Sequence, residues 1–281
     1  MNDFDGHGFR PPCFAQLLAF DGVLRHEEKD LPHPIAVFNH SWKLTCDAFL
    51  EMIEITKNTK FEQNGNIQSA YAEDICQKYK LLLYAAAEFI DNIENNIATS
   101  IGNTRKPANI AGSSSNRKEI TIPCNKLKHN HNRITYCDGR NGNLRVIGFA
   151  ICHIHKGVQR PNPEIHKDGK GTSLNVAIRR IFANLYLYAA GVGTKIEALS
   201  PNIKLTPSAP DSKSVSVAKK VSELPFFGLP NENDKIMPKI TFDNNALFIS
   251  RKGGDIFPLA SPCLMTSIFT GDGHTRNFSL P

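Results

Sequence analysis

Apolar residues recur at helical spacing over two long stretches of the chain. Between Ser69 and Ile101 they lie three or four positions apart, and acidic and amide side chains occupy the opposite face. The apolar positions are Ile75, Tyr79, Leu82, Ala86, Ile90, Ile93 and Ile97. Residues 173–190 repeat the pattern, and Gly191 and Gly193 predict its end. Both stretches are therefore predicted to be amphipathic helices that pack on a core.

Two shorter helices complete a predicted set of four. Ser41 suits the N-cap of a helix from about Trp42 to Lys57. The upstream prolines Pro32 and Pro34 predict a loop before that helix. In the middle of the chain, Pro123 suits the first position of a helix that would run to Arg133.

Alternating apolar and polar positions predict β structure in two places. Residues 144–155 follow the turn-forming segment DGRNGN and predict a strand. Residues 239–250 predict a hairpin with its turn at Asp243-Asn244-Asn245. The predicted fold class is α+β, a bundle-like core of about four helices with inserted and C-terminal β-hairpins.

Composition divides the 281 residues into five successive parts of one predicted composite domain. An acidic helical part (1–101) leads into a basic linker or loop (102–118) and then a mixed α/β part rich in histidine (119–199). A proline-rich excursion (200–238) and a C-terminal β-hairpin region (239–281) follow.

Charge is distributed unevenly, and its distribution suggests a partner. Residues 1–101 carry 8 Lys and Arg against 15 Asp and Glu, whereas residues 102–133 carry 7 against 1. Such a basic run predicts a polyanion partner, RNA or another nucleic acid first. The candidate contacts are Arg105, Lys106, Arg117, Lys118, Lys128 and Arg133, with Lys170 added because it precedes the start of a predicted helix, where free N–H groups bind anions.

Cysteine usage and hydropathy bear on the compartment. The seven cysteines are scattered without a CxxC pair, which predicts reduced thiols in a cytoplasmic protein. No apolar run approaches the roughly 20 residues that a membrane span needs, so we expect no membrane partner.

The segment 124–166 concentrates the candidate chemistry, since it holds five of the ten histidines. If residues 123–133 form a helix, the segment NKLKHNH presents Lys126, His129 and His131 beside a basic run. A cation near an imidazole can combine charge stabilisation with general acid–base catalysis.

At these residues the chain resembles the HEPN group of bacterial helical proteins, whose motif is a basic residue followed four to six positions later by histidine. Lys126 with His131 matches this spacing, with Lys in place of the usual Arg. Arg160 with His166 matches it too, although the intervening prolines depart from a helix. The resemblance covers the helical parts of residues 41–190.

Many HEPN proteins are metal-independent ribonucleases of toxin and phage-defence systems. The resemblance therefore implies an RNA-binding protein or a ribonuclease that needs no cofactor and cleaves through the RNA 2′-hydroxyl. Lys126, His129 and His131 would be its catalytic residues.

A second arrangement makes residues 125–137 a strand that pairs with residues 144–155. In a hairpin whose paired residue numbers add up to 284, His129 would lie opposite His155 and His131 opposite His153, all on one face. Four imidazoles placed together could bind zinc, so this alternative is a metal-binding protein.

A third interpretation assigns no chemistry to the histidines. The chain would then be a subunit or adaptor that binds another protein, or a second copy of itself, through its helical face and the proline-rich excursion around Phe226 and Phe227.

Overall fold

The structure is a computed structural model that describes most of the chain. The described residues are 9–58, 68–103, 108–110, 114–141, 144–167, 169–205, 208–225, 228–229, 232, 238–243, 246–250, 256–260, 265–269 and 275–279. The combination of long helices with two antiparallel sheets, one of four strands and one of five, confirms the α+β class. Within these ranges, no helix is both long and apolar enough to cross a bilayer.

Two long helices form the first layer of the core. Helix α2 (Pro34–Lys57) packs against α3 (Ser69–Asn92), with Phe38 and Trp42 against Phe89 at ring-centroid distances of 5.3 and 5.4 Å. The predicted start at Trp42 is wrong, because Pro34 occupies the first helical turn, where its missing N–H costs no hydrogen bond.

The second half of the predicted helix 69–101 is confirmed with one irregularity. Helix α3 continues through a single π turn (Ile93–Ile97) into α4 (Ala98–Ile101). Glu94 lies in this turn and accepts hydrogen bonds from Arg117 Nε at 2.7 Å and from the Tyr188 hydroxyl at 3.2 Å. The turn thereby connects α3 to two later helices.

Helix α5 (Ser114–His129) differs from its prediction at both ends. It starts inside the predicted loop 102–118, and Pro123 lies within it rather than at its first position. It ends at His129 because His131 adopts a left-handed backbone conformation, with φ of 52°. A residue in that conformation cannot continue a right-handed helix.

Helix α6 (Leu174–Leu199) is the most enclosed element, with 18 of its 26 residues buried. It continues through Gly191 and Gly193, which were predicted to end it. At Gly193 a Cβ atom would lie 3.1 Å from Gln16 Cδ and 3.5 Å from Cys13 Cα. This glycine is therefore a packing residue that lets α1 (Cys13–Leu18) approach α6 closely.

The predicted excursion 200–238 contains a helix, α7 (Ser212–Ser222). Asp211 caps its start by accepting from Ser214 N at 2.8 Å. At its end the buried Arg179 of α6 donates to the carbonyls of Ser222 and Leu224. Burial lowers the pKa of Arg179 to about 10.

A small antiparallel sheet has the order β1-β2-β3, with β4 also paired to β2. Its strands are β1 (Arg133–Asn141), β2 (Leu144–His155), β3 (Val158–Pro161) and β4 (Thr172–Ser173). The predicted strand 144–155 is confirmed.

The predicted C-terminal hairpin is also confirmed, as β5 (Lys239–Asp243) paired with β6 (Ala246–Ser250). Strands β7 (Ile256–Ala260), β8 (Met265–Phe269) and β9 (Thr275–Ser279) extend it into a five-stranded meander. The buried side chains of Ile240, Leu247 and Ile249 join the main core. The cysteines within the described residues are free thiols, located at Cys13, Cys46, Cys76, Cys124, Cys137 and Cys152.

Gly193→Leu should destabilise the protein by about 1–3 kcal/mol, because the larger side chain forces α1 and α6 apart. Urea unfolding measures the change. Ala198→Leu is the matched control, since Ala198 is exposed on the same helix and its substitution should change stability by less than about 0.5 kcal/mol. Leucine forms helices better than glycine does, so a stability gain at position 193 would contradict the packing role.

Candidate functional site

An open pocket of about 460 Å³ forms where the end of α5, the segment before β1, the end of β2 and the loop after β3 converge. We call it the His131 pocket. It is lined by Lys126, Asn130, His131, Asn132, His153, Ile154, Asn162, Pro163 and Glu164. Most of these side chains are polar, and one cation and two imidazoles are among them.

His131 reaches the pocket because of its backbone conformation. After α5 ends, Asn130 N and Asn132 N both donate to the Lys126 carbonyl, at 3.2 and 3.3 Å. His131 stands between them in the left-handed region, where histidine occurs more often than most residues. Non-glycine residues held in this region cluster at functional sites, since their strain persists only where the surroundings impose it.

Two buried asparagines hold the pocket together. Asn162 Nδ2 donates to Asn132 Oδ1 at 2.9 Å, and Asn132 Nδ2 donates to the carbonyls of Lys126 and Asn130. Asn162 Oδ1 in turn accepts from Glu164 N at 3.0 Å. This network fixes the loop after β3 against the end of α5.

Lys126 lies in the last turn of α5, where a cation interacts favourably with the helix dipole. Its Nζ is 2.8 Å from Glu164 Oε1 on the opposite side of the pocket. The ion pair holds the Lys126 side chain across the pocket, although a pair this exposed adds little stability.

His153 is brought to the pocket by strand β2. It lies on the same face of the strand as the fully buried Ile151, two positions earlier, and opposite Arg160 of β3. Its Nδ1 is buried and has no hydrogen-bond partner among the described residues. His153 thus adds a second imidazole to the lining of the pocket.

The predicted catalytic set is therefore only partly brought together. Lys126 and His131 line the same pocket, whereas His129 is exposed on the last turn of α5 and is not among the lining residues. His153, which the sequence suggested only as a metal ligand, completes the group. A motif search of the Lys126–His131 kind cannot find it, because it is 22 positions beyond His131.

The alternative hairpin exists in a different form. Strand β1 starts at Arg133, which pairs with Cys152 of β2. This register differs by one residue from the register that would place His131 opposite His153. His129 is helical and His131 precedes the strand. Across the described part of the chain, no three or more His, Cys, Asp or Glu side chains form a group that could hold a metal ion. The proposed four-histidine arrangement of His129, His131, His153 and His155 is thus not assembled on one hairpin face.

His166, the histidine of the second HEPN-like motif, has a structural role. It is 3% exposed, and its Nε2 accepts a hydrogen bond from Ile151 N at 2.8 Å. The imidazole therefore supplies an acceptor to the edge of β2, as a neighbouring strand would. Arg160 lies instead beside His153, its partner in the strand register.

The predicted nucleic-acid contacts have different surroundings. The Glu94 carboxylate binds Arg117 and raises its pKa, and Lys128 Nζ lies 4.9 Å from the centre of the Tyr84 ring. Arg133 and Lys170 are exposed. Lys118 faces a second pocket, and Arg105 and Lys106 lie outside the described residues.

The start of α6 holds a carboxylate of the same chain. Ser173 N, the amide at its N-cap, donates to both carboxylate oxygens of Glu232 at 3.1 and 3.2 Å. An internal carboxylate thus binds the N-cap amide, and the anion site predicted at Lys170 and the following amides stays a prediction.

Comparison of the chain with models of protein families, with curated proteins and with solved structures gives no match.

Asn162→Ala should cost about 1–3 kcal/mol of unfolding free energy, because it leaves the buried Asn132 Oδ1 without its donor. Chemical denaturation of Asn162→Ala, Asn132→Ala and the double variant tests this. The double variant should lose less than the sum of the single losses, since the two side chains share one hydrogen bond. Asn130→Ala, at an exposed position, is the control, and purely additive losses would contradict the network.

Proposed function

We propose that this chain is an RNA-directed cytoplasmic protein that cleaves RNA without a metal ion at the His131 pocket. The observation that carries the proposal is that Lys126, His131 and His153 line one open pocket. A cation and two imidazoles can supply the charge stabilisation, the general base and the general acid for RNA cleavage through the 2′-hydroxyl. A role in a toxin or phage-defence system is the biological setting that the HEPN resemblance implies.

The proposed reaction assigns a role to each group. One imidazole, His131 or His153, removes the proton of the 2′-hydroxyl, and the 2′-oxygen then attacks the adjacent phosphorus. The second imidazole donates a proton to the departing 5′-oxygen, so the products are a 2′,3′-cyclic phosphate and a 5′-hydroxyl. Lys126 stabilises the negative charge that grows on the non-bridging oxygens.

The geometry favours this proposal over the two alternatives from the sequence. A zinc site would need several ligands together, and the described residues offer no such group. The adaptor interpretation depends on Phe226 and Phe227, which lie outside the described residues. The polar pocket with two histidines is the feature that only the cleavage proposal uses.

RNA incubated with the protein in EDTA should be cleaved, and His131→Ala or His153→Ala should each lower the rate roughly 10²–10⁴-fold. Gel analysis of a short single-stranded RNA with a labelled end measures the rate and identifies the cyclic phosphate.

The control is His40→Ala, because His40 is exposed on α2, far along the sequence from the pocket. Its rate should equal that of the unchanged protein. Cleavage that requires a divalent cation, or that survives the loss of both pocket histidines, would contradict the proposal.

Glu164→Gln should tighten RNA binding about two- to fivefold at low salt, because it releases Lys126 from its ion pair and removes a negative charge from the pocket. One more neutralised phosphate should make the slope of log K against log salt more negative by about 0.7. Fluorescence anisotropy in the His131→Ala background measures this without cleavage. Glu73→Gln, at an exposed position on α3, is the matched control, and weaker binding by Glu164→Gln would count against an RNA backbone at Lys126.

A further inference from the structure

A second, larger pocket of about 700 Å³ lies between α3, α5, α6 and the loop after β3. We call it the Asn184 pocket. Its apolar wall includes the buried rings of Tyr79 and Phe149, which contact each other at a centroid distance of 3.9 Å, and the side chains of Ile165 and Ile181. A pocket of this volume with an aromatic and aliphatic wall suits a flat organic group.

Three cations from three different elements line the same pocket: Lys118 of α5, Lys167 of the loop and Arg180 of α6. Within the described residues none of them forms an ion pair or a hydrogen bond. Such cations attract an anionic group, and arginine and lysine are the usual partners of phosphate.

The acidic residues of the pocket do not cancel this charge. Glu232 accepts hydrogen bonds from Ser173 N and Leu229 N, and Glu164 is paired with Lys126. Glu232 keeps its negative charge, because its backbone amide donors are neutral. Glu119 is approached by the amide of Asn184, with Nδ2 at 3.5 Å from Glu119 Oε2. Three cations therefore face two carboxylates, Glu119 and Glu232, that no cation of the described residues neutralises, and one positive charge is left in excess.

Asn184 is in the lining of this pocket and has an unused hydrogen-bond acceptor. It is 1% exposed, and its Oδ1 is buried with no hydrogen-bond partner among the described residues. The neighbouring Glu119 carboxylate also only accepts hydrogen bonds. A ligand that satisfies both must bring adjacent donors, and guanine alone among the four RNA bases carries two adjacent donors, N1–H and the N2 amino group, on its pairing edge.

We propose that the Asn184 pocket binds a guanine nucleotide. The base lies against the apolar wall and donates to Asn184 Oδ1 and Glu119, and the phosphate is held by Lys118, Lys167 and Arg180. Within the described residues the two pocket linings have Glu164 in common, whereas Lys126, His131 and His153 line the His131 pocket alone, so nucleotide binding here needs none of the three proposed cleavage residues.

Isothermal titration calorimetry of the full chain with guanosine monophosphate, adenosine monophosphate and inorganic phosphate tests the proposal. Guanosine monophosphate should bind at least about tenfold more tightly than adenosine monophosphate, which would leave the buried acceptor unsatisfied. It should also bind more tightly than phosphate alone. Equal affinity for the two nucleotides, or no heat with either, would overturn the proposal.

Two variants locate the binding. Asn184→Leu should weaken guanosine monophosphate binding roughly tenfold while the thermal midpoint is kept or rises, because leucine removes a buried acceptor without a partner. Arg180→Gln should weaken guanosine monophosphate binding roughly tenfold, because it removes one cation that holds the phosphate. This variant tests the site even where Asn184→Leu fails to fold. Lys195→Gln, exposed on α6 and outside the pocket, is the charge-matched control. Undiminished binding by Arg180→Gln would place the nucleotide elsewhere and overturn the proposal.

Discussion

Helix α6 is buried around most of its circumference, and this constraint determines how the other elements are arranged. A helix that is apolar on all sides is stable in water only when neighbours enclose it. Here α1, α5, α7 and β2 all contact it. Because α5 and β2 are held against the same helix, the end of each reaches the same region of the surface. Lys126 and His153 therefore line one pocket although 27 positions separate them.

The polar residues inside this enclosed helix have different consequences. Arg179 is buried, but its guanidinium donates to the carbonyls of Ser222 and Leu224 and so ties the end of α7 to α6. Asn184, about one and a half turns further along, leaves its Oδ1 without a donor among the described residues. The first residue stabilises the fold. The second carries a cost that a suitable ligand would remove.

Sequence periodicity predicted the helix between Ser69 and Ile101 because its amphipathic pattern is uninterrupted. The prediction failed where a single proline or glycine was interpreted as a helix breaker. Pro34 is accommodated in the first turn of α2, and Gly193 lies within α6 at its close contact with α1. Helix α7 was missed since prolines surround it. At the site, Lys126 and His131 were found because they are close in sequence. The inclusion of His153 and the loss of His129 depend on strand register and on a left-handed residue, which no local pattern encodes.

The π turn after α3 carries one further consequence. An α-helix advances about 100° per residue, so the extra residue of a π turn changes the angular phase of everything that follows it. In this protein the phase change lets Ile97 and Ile101 stay buried while Glu94 points to Arg117 and Tyr188. The number of residues in this segment is therefore constrained. Deleting one residue here would either expose Ile97 and Ile101 or move Glu94 away from its partners on α5 and α6.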